Sequence, residues 1–115
     1  MAKNLTHNQL TEIANEFGTP VYIYHAERIA AQYKKLQKGF AGVNARFFYA
    51  CKSLTNINVL KYVQSIGASL DCVSINEVRL GLMAGFAARD ILYTPNCVDF
   101  EEIVDVKELG VNINI

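Results

Sequence analysis

The sequence lacks several features that would point to particular classes of protein. It contains no tryptophan, two prolines and two histidines among 115 residues, and its 11 basic side chains balance its 11 acidic ones. The zero net charge gives no support for a nucleic acid or an anionic membrane as a partner held by bulk charge. No apolar run reaches the length of a membrane span. The first residues lack the apolar stretch of a signal peptide, so we expect a cytoplasmic protein.

Cysteines are also few, and their pattern is not that of a disulfide-rich or metal-binding domain. Cys51, Cys72 and Cys97 are odd in number and widely spaced, and no CxxC pair occurs. This pattern argues against both a disulfide framework and a structural zinc site. His7 and His25 are isolated in the sequence. We therefore expect buried free thiols in a reducing compartment and predict no metal site.

Apolar residues, in contrast, are plentiful. They make up 51% of the chain and include six tyrosines and six phenylalanines. This is enough for a packed core and argues against disorder. The apolar spacing predicts amphipathic helices over residues 6–17 and 26–38, the first capped by Thr6. The short β-rich run at residues 21–24 predicts a strand between them.

From residue 46 onward the predicted elements alternate between strand and helix. Strands are predicted at residues 46–51, 69–73, 91–94 and 111–115, with helices at about 55–65, 75–84 and 100–109 between them. This alternation is typical of a parallel sheet or a βα barrel. A complete eight-fold barrel takes about 250 residues. We therefore interpret the chain as a fragment with three βα units and the first strand of a fourth; a self-contained open α/β sheet is the alternative.

The most informative candidate for chemistry is Lys52. Functional side chains of βα proteins gather at the carboxyl ends of the strands, and Lys52 directly follows the first predicted strand. Partial desolvation there would favour the neutral amine, which is the form that attacks an aldehyde. Alternatively, Lys52 only lies along the surface or pairs with a carboxylate at the rim.

Two carboxylates follow the next predicted strand. Asp71 lies at its end, where it would either hold an amine in place or form an ordinary salt bridge. Glu77 lies in the first turn of the next helix, where the helix dipole favours an acid without any function. Ser74 is a candidate N-cap of that helix. Glycine-rich phosphate-binding motifs, HExxH and GxSxG are absent from the sequence.

Four segments carry a resemblance to a known family. Residues 48–53 (FYACKS) are similar to a Y-A-x-K-(A/C)-N segment, and residues 67–77 (GASLDCVSINE) to a G-x-G-x-D-x-x-S-x-x-E stretch. Residues 80–93 fit the helix and strand that follow, and residues 18–24 (GTPVYIY) are similar to a G-T-P-x-Y-V-Y opening. In this order and spacing the segments resemble the fold-type III pyridoxal-phosphate (PLP) decarboxylases, and among them the diaminopimelate decarboxylases most. Ser53-Leu54 and Ile75-Asn76 depart from the family pattern.

The resemblance implies a fold and a cofactor. The fold is α/β, the N-terminal part of a PLP-binding (β/α)8 TIM barrel of the alanine racemase/ornithine decarboxylase type, truncated after about three βα units. Residues 1–24 would join a C-terminal β-domain, and residues 25–115 would begin the barrel. Lys52 would carry pyridoxal 5'-phosphate covalently and be catalytic. Asp71 would lie near the lysine and the ring, and Glu77 would brace a neighbouring basic group.

The resemblance also implies an activity. It is the decarboxylation of meso-2,6-diaminopimelate to L-lysine and CO2, the last step of lysine biosynthesis, by a homodimer with shared active sites. The ornithine and arginine decarboxylases of polyamine synthesis share the same first half, and a non-catalytic PLP-binding relative is a further alternative. In the family the phosphate-binding and substrate-gripping residues lie further along the chain. We therefore expect these 115 residues alone to be inactive.

Overall fold

The structure, a computed structural model, describes residues 4–114. Two compact units share these residues, with the boundary between Val43 and Asn44. The first unit contains helices α1 (His7–Phe17) and α2 (Ala26–Gly39), which confirms both predicted helices. None of the helices in residues 4–114 has the length and apolar character that crossing a bilayer would need.

Helix α1 begins at a reciprocal cap. The Thr6 hydroxyl oxygen accepts a hydrogen bond from the Gln9 backbone N–H, and the Gln9 side chain accepts one from the Thr6 N–H. Two of the N–H groups that a helix start leaves unpaired are satisfied in this way. The predicted start of α1 at Thr6 is therefore confirmed, with Gln9 as the partner.

The strand predicted at residues 21–24 is wrong. This segment has no strand assignment, and within residues 4–114 no strand pairs with it. Tyr22 is 88% exposed. High β propensity reflects the fit of a side chain to a pleated, half-buried surface, and a strand needs a neighbour to complete its hydrogen bonds. That residues 1–24 join a β-domain therefore stays a prediction.

The second unit alternates strand and helix as predicted, with shorter strands. Strand β1 stops at Ala50 because Cys51–Ser53 turn into a short 3₁₀ helix, and Asn56, Ser74 and Asp99 cap the three helices through their side-chain oxygens. The elements are β1 (Phe48–Ala50), α3 (Ile57–Ser65), β2 (Ser69–Cys72), α4 (Ile75–Met83), β3 (Ile91–Tyr93), α5 (Phe100–Glu108) and β4 (Asn112–Ile113).

The four strands form one parallel sheet in the order β1-β2-β3-β4. Each strand therefore pairs with the next one along the chain. A doubly wound sheet reverses its strand order at a switch point, whereas a βα barrel keeps its strands in sequence. The sequential order favours the barrel type over the open-sheet alternative.

The core lies between the sheet and helices α3, α4 and α5, the last through Val106. Its largest fully buried side chains include Leu60 and Val78 from the helices and Leu70, Ile91 and Tyr93 from the strands. Helix α4 comes close to the sheet at Gly81: a Cβ atom there would lie 3.2 Å from Ile91 Cδ1 and still closer to Leu70 Cδ2. The glycine thus permits a close approach that any other residue would oppose.

Glu102 connects α5 to the rest of this core. Its Oε1 accepts hydrogen bonds from the Tyr93 hydroxyl (2.7 Å) and from the Ile75 backbone N–H (2.9 Å). Tyr93 is fully buried, so its hydroxyl would be costly to leave without a partner. One carboxylate oxygen therefore joins the end of β3 to the start of α4.

Replacing Glu102 with alanine in the full-length protein should lower the free energy of unfolding by about 2 kcal/mol, because two buried donors lose their acceptor. Glu101 is the matched control, since it is an exposed glutamate one residue earlier in the same helix turn. Glu101→Ala should change the stability by less than about 0.5 kcal/mol. Urea unfolding of both variants measures this, and equal losses would contradict the assigned role of Glu102.

Candidate functional site

Lys52 lies at the carboxyl edge of the sheet, in the turn that follows β1. The turn is closed by the Leu54 N–H, which donates to the Cys51 carbonyl (3.1 Å), and by the Ser53 hydroxyl, which donates to the Ala50 carbonyl (2.5 Å). Lys52 is exposed, and its amine has no hydrogen-bond or ion-pair partner within residues 4–114. The alternative in which Lys52 pairs with a rim carboxylate therefore does not occur in this part of the chain.

Asp71 lies one strand away from this turn. It is paired in register with Ala50, two residues before Lys52, and it is half-buried. Its Oδ1 accepts a 2.6 Å hydrogen bond from the hydroxyl of Thr94. Thr94 directly follows β3 and is itself held by its N–H, which donates to the Cys72 carbonyl (2.8 Å). Asp71 is thus oriented by Thr94 and makes no salt bridge within residues 4–114.

Glu77 organises the start of α4. The Ser74 hydroxyl oxygen accepts a hydrogen bond from the Glu77 N–H (3.3 Å), which confirms Ser74 as the N-cap. The Glu77 side chain reaches back, and its Oε2 accepts a hydrogen bond from the Val73 N–H (2.9 Å). No basic side chain pairs with Glu77 in the described chain. The predicted bracing of a basic group stays a prediction.

The sheet separates Asp71 from Glu77. Successive residues of a strand point to opposite faces. Leu70 and Cys72 are fully buried on the face that the helices cover, and Asp71 between them points to the other, half-exposed face. Glu77 lies near the Cys72 thiol on the helix-covered side. The two acids therefore share an edge of the sheet but not a face.

Two thiols and one carboxylate form a cluster on the helix-covered side. Sγ of Cys51, Sγ of Cys72 and a carboxylate oxygen of Glu77 all lie within 4.8 Å of one another. Both cysteines are fully buried. Burial, and then the nearby Glu77 carboxylate, raise the pKa of Cys51 to about 11. Burial, and then the neighbouring Cys51, raise the pKa of Cys72 well above its usual range. Both groups are therefore neutral thiols at neutral pH.

The sequence reasoning missed three features of this edge. It gave no role to Thr94, although Thr94 directly follows β3 and Asp71 lies one residue before the end of β2. It did not bring Cys51 and Cys72 together, although they directly follow Ala50 and Asp71, which are paired in register. It also expected all three cysteines to be buried, whereas Cys97 is exposed in the loop after β3.

Comparisons with known proteins agree on one family. Residues 26–115 match the family model described as the pyridoxal-binding domain of pyridoxal-dependent decarboxylases. The chain is 42% identical over 106 residues to the diaminopimelate decarboxylase of Methanothermobacter thermautotrophicus, covering 90% of this chain and 25% of that protein. It is 32% identical over 115 residues to the diaminopimelate decarboxylase of Escherichia coli, covering 96% of this chain and 26% of that protein.

A solved structure agrees with these relatives. The crystal structure of diaminopimelate decarboxylase from M. jannaschii in complex with L-lysine superposes with a TM-score of 0.85 at 26% identity, covering 92% of this chain and 26% of that chain. The chain thus spans about a quarter of the length of the relatives that it matches.

Proposed function

Because this chain belongs to the pyridoxal-dependent decarboxylase family, we propose that the full-length protein decarboxylates meso-2,6-diaminopimelate to L-lysine and CO2. The sequence resemblance to that family is confirmed, as are the α/β barrel-type fold and the PLP dependence of the family. The assignment of the substrate and the pathway is our proposal, supported by the similarity to diaminopimelate decarboxylases.

The observation that carries the cofactor assignment is the position of Lys52. Its amine lies at the carboxyl edge of a parallel sheet, where βα barrels build their active sites, and no partner within residues 4–114 occupies it. An amine that is free of ion pairs is available to bond to an aldehyde. The local structure therefore fits a covalently attached pyridoxal phosphate at Lys52.

When bound, PLP supplies an electron sink for the charge that loss of a carboxylate leaves behind. The side chains of this chain would position the cofactor and hold it in place. Lys52 would hold the cofactor covalently, at the carboxyl ends of the strands. Asp71, fixed by the Thr94 hydroxyl, presents a negative charge on the half-exposed face of the sheet. This charge favours a protonated nitrogen nearby.

Glu77 would act on the cofactor site indirectly, through the backbone of the loop between β2 and α4. By accepting the Val73 N–H it fixes the loop from β2 to α4, and this loop begins two residues after Asp71. We propose that Glu77 supports the cofactor side of the site in this way. We also propose that the site is completed by residues outside this chain, including residues of a second subunit in a homodimer.

The test is CO2 release by the purified full-length protein, supplied with PLP, from meso-diaminopimelate, L-ornithine and L-arginine in parallel. We expect kcat/KM for diaminopimelate to exceed the values for ornithine and arginine by at least about a hundredfold. A site whose polar groups bind the distal end of diaminopimelate would leave those groups without partners when another amino acid is bound. A preference for ornithine or arginine would support a polyamine-pathway enzyme instead. Bound PLP without release from any substrate would support a non-catalytic relative.

A further inference from the structure

We propose that Cys51, Cys72 and Glu77 form a binding site for a thiophilic divalent cation such as Zn2+. The three side chains come from three elements: the turn after β1, the strand β2 and the first turn of α4. Their ligand atoms all lie within 4.8 Å of one another. Cys51 and Cys72 directly follow Ala50 and Asp71, the last register pair of β1 and β2, so the two thiols come from neighbouring points of the sheet edge.

The ligand set matches the chemistry of zinc. Zn2+ takes thiolate sulfur at about 2.3 Å and carboxylate oxygen at about 2.0–2.2 Å in a tetrahedral arrangement, so neighbouring ligand atoms are separated by roughly 3.5–3.8 Å. The ligand atoms lie within 4.8 Å of one another, so a movement of about 1 Å brings them to that spacing. Three protein ligands leave the fourth position to water or to another exogenous ligand.

One ligand atom of the cluster is in contact with solvent, whereas the two thiols are fully buried. The Glu77 carboxylate keeps its hydrogen bond from the Val73 N–H through Oε2, while Oε1 has no hydrogen bond within residues 4–114. Every fully buried side-chain oxygen or nitrogen in that range has a partner, so Oε1 must keep contact with solvent. Oε1 of Glu77 is therefore the ligand atom through which the cluster meets solvent. Each thiol releases its proton to solvent as the sulfur becomes a ligand.

A cation bound at this site would also restrain the turn that contains Lys52. Cys51 is the residue before Lys52 and belongs to the same 3₁₀ turn. A cation held by Cys51, Cys72 and Glu77 would therefore fix this turn to β2 and α4. The inference does not depend on decarboxylation, since metal binding is measured without substrate or PLP.

The test is titration of the full-length protein with Cd2+ after reduction by a phosphine, followed by its near-ultraviolet sulfur-to-cadmium charge-transfer band. We expect one Cd2+ per chain at this site, with Zn2+ displacing it. Cys51→Ser and Cys72→Ser should each weaken binding by about a hundredfold or more, since removal of even a supporting residue costs a metal site ten- to a hundredfold. Cys97→Ser is the matched control, because Cys97 is exposed and distant in sequence from the cluster, and it should bind as the parent does.

Two further measurements keep the result decisive if a serine variant folds poorly. Glu77→Gln keeps an oxygen acceptor for the Val73 N–H but is a weaker ligand, so it should lose affinity with an unchanged far-ultraviolet circular dichroism spectrum. The 113Cd NMR shift of the parent protein should indicate two sulfur ligands. The absence of a charge-transfer band, or a band that Cys97→Ser removes and the other two variants keep, would overturn the proposal.

Discussion

Replacing Lys52 with alanine in the full-length protein is expected to lower kcat/KM for diaminopimelate by at least about a thousandfold, because the group that attaches the cofactor is lost. Lys52→Arg should be almost as damaging, since a guanidinium keeps the charge but cannot form the bond. Steady-state CO2 release measures the kinetic loss. The absorption spectrum after removal of free PLP measures the loss of covalent attachment.

Lys61 provides the matched control for this experiment. It is an exposed lysine of α3 in the same unit and has no partner within residues 4–114. Lys61→Ala should therefore leave kcat/KM within about twofold of the parent value, in line with the small effects of surface substitutions. If Lys52→Ala keeps parental activity, or if Lys61→Ala is equally inactive, the role of Lys52 is wrong.

Replacing Gly81 with valine is expected to lower the free energy of unfolding by about 3 kcal/mol, the largest stability effect that we predict. Any side chain at Gly81 enters the space of Leu70 and Ile91, which are both fully buried and cannot turn away without displacing others. Inserting carbon atoms into a filled core costs about 1–3 kcal/mol even where the structure adjusts. Urea unfolding of the full-length protein, with the slope checked against the parent, measures the loss.

The control for Gly81 is Gly39, which also lies in a helix. A Cβ atom at Gly39 would have no neighbour within 4 Å, and Gly39 is not among the glycines with positive φ. Gly39→Val should therefore change the stability by less than about 0.5 kcal/mol. Equal losses in the two variants would show that the effect is a general property of valine in these helices. The close approach of α4 to the sheet would then not explain it.

The helices were predictable from short segments of sequence, whereas the strands were predictable only in part. Side-chain caps and apolar spacing predicted each α-helix of residues 4–114 to within about two residues, because a cap and an amphipathic stripe are encoded within a few residues of each other. The segment at residues 21–24 failed for the opposite reason, since a strand depends on a neighbour that the segment does not contain. The predicted strands were also too long. Arg46 and Cys51 fall within the predicted strand but outside β1.

The candidate site was predictable only in part. The place of Lys52 at a strand end follows from the order of residues along the chain. The hydrogen bond from Thr94 to Asp71 and the grouping of Cys51 with Cys72 depend on the register between strands. Register is set by the packing of whole strands, which a short motif does not encode.

The most direct test of the central claim is to map the lysine that carries PLP. Borohydride reduction of the full-length protein from its native source fixes the cofactor on its lysine as a stable amine, and peptide mass mapping then locates it. We predict a phosphopyridoxyl group on Lys52. An unmodified Lys52 in a PLP-saturated protein, or the group on a different lysine, would contradict the account.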